Sequence, residues 1–102
     1  MARYYVRIDC PAHPPRFERV DAEPVTVPGF ESLDLFIHKN GEAPGVRISE
    51  GHSGLKVADG LTSEEAVYTA TKVLKKSGLE AAKERIRVYS FINPSPRLKE
   101  LP

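Results

Sequence analysis

Apolar and polar residues alternate in several stretches of this chain, and one longer stretch repeats with a helical period. Tyr4, Val6, Ile8 and Cys10 alternate with Arg3, Tyr5, Arg7 and Asp9, which predicts a strand from Arg3 to about Cys10 with one apolar face. Cys10-Pro-Ala-His-Pro-Pro15 ends it, because proline lacks the backbone donor and locks φ. Phe17 to Val20 and Val25 to Val27 read as short edge strands, limited by Pro24, Pro28 and Gly29. Alternation returns at Leu33 to Lys39, with Leu33, Leu35 and Ile37 on one side and Asp34, Phe36 and His38 on the other. The turn signal Asn40-Gly41 follows. Gly45 to Glu50 sets Val46 and Ile48 against Arg47 and Ser49, and after Gly51-His-Ser-Gly54 the pair Leu55 and Val57 flanks Lys56. Connections this short require antiparallel neighbours, since parallel strands need a crossover of about a dozen residues.

The helical stretch starts at Thr62-Ser-Glu-Glu65, a capping box in which the Thr62 hydroxyl accepts from the Glu65 amide. Ala66, Val67, Ala70, Val73 and Leu74 then recur at helical spacing, Lys75 and Lys76 face the negative end of the helix dipole, and Gly78 supplies the stop. Leu79 to Arg85 is rich in helix formers and reads as a second short helix. Ile86, Val88, Ser90 and Ile92 alternate with Arg87, Tyr89 and Phe91, which predicts a last strand before Asn93-Pro94. The expected fold is therefore α+β in two layers: an antiparallel, meander-like sheet with one main helix packed on one face. Residues 1–93 form the single domain, and 94–102 are a proline-containing tail, loose from Arg97 onward.

Composition narrows the reading. A chain of 102 residues has material for one core. The lone cysteine, Cys10, closes no intrachain disulfide, and Met-Ala-Arg-Tyr-Tyr-Val-Arg has charges where an export signal needs an apolar run. A soluble cytoplasmic protein with no membrane partner is the expectation. The net charge of +1 lacks the basic excess of a generic phosphate-backbone binder. It is spread unevenly, with six Lys/Arg against eight Asp/Glu in residues 1–51 and nine against six in 52–102.

Motifs for chemistry are weak. Gly51-His52-Ser53-Gly54 brings its second glycine one position too early for the G-x-S-x-G elbow and reads as a hairpin turn. Cys10, His13, His38 and His52 are the available soft ligands, but His38 and His52 stand too far apart to complete a zinc site, so no metal is expected. Glu50 with His52, or Asp34 with His38, is a candidate acid–base pair and would make a small enzyme. No nucleotide or other cofactor motif is present in the sequence.

Strand parity points to a surface instead. If the apolar set faces the helix, the opposite sheet face carries Tyr5, Arg7, Phe36, His38, Arg47, Arg87, Tyr89 and Phe91, with Arg3 and Lys56 beside them. Aromatics interleaved with cations suit a protein partner or a second copy, which makes a binding or interaction module the first expectation. Single-stranded nucleic acid, its bases stacked on the rings, is the second. The competing structural reading is that residues 11–30 fold over that face and cover it.

Overall fold

The strands form two antiparallel sheets. The computed structural model describes residues 3–8 and 16–100. Strands β1 (Tyr4–Ile8) and β2 (Arg16–Val20) make a two-stranded sheet, and β3 (Ala22–Val25), β4 (Leu35–Lys39), β5 (Val46–Glu50) and β6 (Lys56–Gly60) make a four-stranded one in sequential order. Helices α1 (Ser63–Ser77), α2 (Leu79–Ile92) and α3 (Arg97–Glu100) follow. The α+β class and the antiparallel meander agree with the alternation in the sequence.

Pairing of β4 with β5 sets Ile37 opposite Ile48 and Phe36 opposite Ser49, so successive residues point to opposite faces as expected. Val27, Phe30, Leu35, Ile48 and Ala58 pack against Ala66, Ala70 and Leu74 of α1, with Ile37, Val46 and Val67 partly buried around them. Thr62 Oγ1 accepts from the Glu65 amide at 3.2 Å, as the capping box requires. At the other end Gly78 has φ +89° and ψ 154°, a conformation that only glycine adopts without strain, and its amide donates to Leu74 O.

Five expectations are corrected, three of them local. Between β5 and β6 the register slips at Ile48/Ser49, so that Val57 is the extra residue of a bulge and Ala58 takes the position opposite Ile48. Val73 is 43% exposed, because the buried side of α1 runs through Ala66, Ala70 and Leu74 and leaves Val73 at its margin. The first strand does not join the main sheet: β1 pairs with β2 alone, and its Tyr4 lies on the sheet face opposite α1, 4.6 Å from Phe36.

The largest change is at Ile86 to Ile92, which is helical. Its β-branched residues alternate, yet no turn residue separates them from Glu80 to Arg85, and once a helix is nucleated each further residue adds a hydrogen bond at little extra cost. Read at helical spacing, the same letters place Leu79, Ala82, Ile86 and Ser90 on one half-buried side. The segment after Asn93 also departs from a loose tail. Ser95 and Arg97 are buried, and the Ser95 amide donates to His52 O.

Candidate functional site

The eight residues expected on one sheet face fall into three groups. Phe36 is fully buried between Tyr4 and His38, its ring 4.6 Å and 5.4 Å from theirs. His38 is buried too, with Nδ1 2.9 Å from Lys39 O and Nε2 3.0 Å from Ser49 Oγ, so the hydroxyl and the carbonyl satisfy both ring nitrogens. Removal from water lowers the His38 pKa and keeps the ring neutral. Arg47, the cross-strand neighbour of His38, donates to both oxygens of Asp59, and this holds the Asp59 carboxyl below its ordinary value. The β1–β2 sheet thus supplies the cover over Phe36, with Tyr4 as the covering ring.

Arg7 and Tyr89 form the second group. The Arg7 guanidinium lies 5.2 Å from the centres of both the Phe17 and Tyr89 rings. Its Nε donates to Ser53 O at 3.0 Å, and its Nη2 donates to Asn93 O at 2.9 Å and to Tyr89 O at 3.3 Å. A cation at the last carbonyls of α2 satisfies acceptors that a helix leaves unpaired and opposes the dipole there. Tyr5 shares this face of the hairpin, since it pairs with Arg19 just as Arg7 pairs with Phe17.

Arg87 and Phe91 belong to the third group, on the outer flank of α2. Arg87 donates to both oxygens of Glu84, which raises the pKa of Arg87 and lowers that of Glu84. Phe91 is 84% exposed and Ile92 67%, with Val88 partly exposed one turn earlier. None of the fourteen residues of α2 is buried. This flank lies about 180° around the helix from the half-buried Ala82 and Ile86.

Parity reasoning had no means to find the polar cluster between the main sheet and α3. Asp34, on the segment entering β4, accepts from Arg97 Nε at 2.7 Å and Nη2 at 3.0 Å. Arg97 also donates to Arg3 O and stacks 4.1 Å from the Tyr4 ring centre, and the Asp34 carboxylate holds its pKa above the ordinary value. Glu50 Oε1 accepts from the amide and the hydroxyl of Ser53, and Oε2 accepts from the His52 amide. Its side chain therefore clamps the 51–54 turn, and three hydrogen bonds take up most of its acceptor capacity. His52 Nε2 stands 3.8 Å from an Asp34 oxygen that Arg97 already occupies. The acid–base pairing of Glu50 with His52 is thus a turn clamp in its geometry, and Ser53, fully buried, presents no hydroxyl to solvent.

Cys10 and His13, the remaining metal candidates, lie outside the described residues. No family model, curated protein or solved structure matches the chain. Among the described residues, no helix is long and apolar enough to cross a membrane.

Proposed function

We propose that this protein is an interaction module that self-associates through the C-terminal half of α2. The observation that carries the reading is the exposed triangle Val88, Phe91 and Ile92 on a helix that buries no side chain of its own. Helices in proteins draw most of their stability from packing an apolar face, and within one chain α2 packs only the half-buried side that carries Leu79 and Ala82. Residues spaced i, i+3 and i+4 form the unit of helix-on-helix contact, and exposed apolar patches on folded chains mark contact surfaces.

A second copy fits this patch best. The triangle contains no charge, and Arg87, one turn before Phe91, is already paired with Glu84 at 2.6 Å. A surface so balanced favours neither a polyanion nor an acidic segment, whereas its own copy offers apolar area against apolar area in a closed two-fold contact. Of the residues first expected on the sheet, Arg87 and Phe91 belong to this surface, and Tyr89 with Arg7 holds the helix end beside it.

Light scattering over a wide concentration range tests the reading. The mass should rise from one chain to two, and Phe91→Asp and Ile92→Asp should each keep the mass of one chain throughout. Both substitutions are at exposed positions, so their unfolding midpoints in dilute solution should match the parent. A parent chain that stays single at every concentration overturns the proposal.

A further inference from the structure

We infer that the cleft beneath α2 binds a small amphipathic acid, an apolar body carrying one carboxylate. The cleft has a volume of about 310 Å³, at the low end of the range for small-molecule sites. Leu33, Leu55 and Val57 line it from the sheet side, Val73 and Leu74 from α1, and Ile86 from α2. These side chains gain when an apolar body displaces water from them. The roof is a helix with no buried residue, held at one end by Gly78 and at the other by Arg7, so the space beneath it is spanned without being filled.

Charge at the cleft selects the headgroup. Arg85 reaches it from α2. Arg85 makes no ion pair among the described residues; its guanidinium sits 5.6 Å from the centre of the Tyr89 ring. Lys56 turns its ammonium away from the cleft, to Asp59 at 3.7 Å on the sheet face that carries Arg47. A guanidinium presents a planar fork that matches a carboxylate. The carboxylate in the wall, Glu50, turns both oxygens to the His52 and Ser53 donors and is itself buried, so it does not compete for Arg85.

Decanoate is a suitable probe, with decanol and decyltrimethylammonium as neutral and cationic comparators, followed by methyl and amide NMR. Decanoate should saturate and shift Val57, Val73 and Ile86. Decanol should bind about tenfold more weakly, the scale of a charge-assisted hydrogen bond, and the cation weaker still. Arg85→Gln should weaken decanoate by about tenfold while leaving decanol unchanged. Val73→Phe, at a partly exposed margin, and Ala82→Phe should each fold and block binding by filling the space. Failure of decanoate to saturate, preference for the ammonium probe, or unchanged binding in a folded filling variant would overturn the inference. The Phe91→Asp single chain should bind decanoate as the parent does. Loss of binding in that variant would place the site between two copies and overturn a site within one chain.

Discussion

Arg97 carries its charge into a position where its side chain is only 7% exposed, and the surroundings make that tolerable. Both Asp34 oxygens, Arg3 O and the Tyr4 ring receive the guanidinium. Arg97→Ala would strand the Asp34 carboxylate, so we expect a loss of about 3 kcal/mol in urea unfolding, the usual scale for breaking a buried pair. Arg97→Lys should recover little of it, because an ammonium lacks the two-pronged geometry. His38 makes a different prediction. Its folded-state pKa is depressed below 6.5 by burial, so as pH falls through 6.5 the unfolded chain takes up a proton that the folded chain refuses. Stability from this group is full above 6.5 and declines below it, towards the folded-state value. His38→Gln should remove that part of the slope in unfolding measured at a series of pH values. The side of the strand on which His38 sits was legible from its neighbours in sequence. The Asp34–Arg97 pairing was not, because sixty-three residues separate its members and neither has a local pattern that names the other.

At the scale of elements, α1 announces itself through cap, periodicity and stop signal together, whereas α2 carries two periods at once. Ile86, Val88, Ser90 and Ile92 satisfy a strand and also a continuing helix; hydrogen bonds propagated from Leu79 decide between them. Val88→Ala separates the two. In a paired strand the loss of a β-branched side chain would destabilise, but on the exposed flank of a helix it should raise stability by up to about 0.7 kcal/mol when measured on dilute single chains. The contact of β6 with α1 also depends on one small residue. A Cβ added to Gly60 would strike the Ala66 backbone, which no rotamer change relieves. Gly60→Ala should therefore cost on the order of 1–3 kcal/mol, read by thermal or urea unfolding, as overpacking does. The bulge at Val57 belongs here too, since one inserted residue lets Val57 and Ala58 both pack against the core, where simple alternation would send one of two neighbours to the other face.

Across the whole molecule Arg7 acts as a clasp. It ties β1 to the 51–54 turn through Ser53 O and to the end of α2 through Tyr89 O and Asn93 O. Arg7→Ala should speed amide exchange in α2 several-fold while leaving α1 nearly unchanged, because α1 is held by the buried Ala66, Ala70 and Leu74 and α2 by few contacts beyond this one. Equal acceleration in both helices would show that they open as one unit. The sequence by itself determined the α+β class, the meander order of the main sheet, α1 with its caps, and the side to which Leu35, Phe36, Ile37 and His38 each point. Those properties follow from short-range sterics and periodicity, which any stretch of about ten residues expresses. Tertiary structure alone decided that β1 and β2 leave the main sheet to cover Phe36, that Ile86 to Ile92 coil, that Arg97 is buried against Asp34, and that α2 roofs a cleft with its outer flank bare. Each of these depends on which distant segment reaches a surface first and fills it, and alternation along the chain records a side chain's direction without recording what will stand opposite.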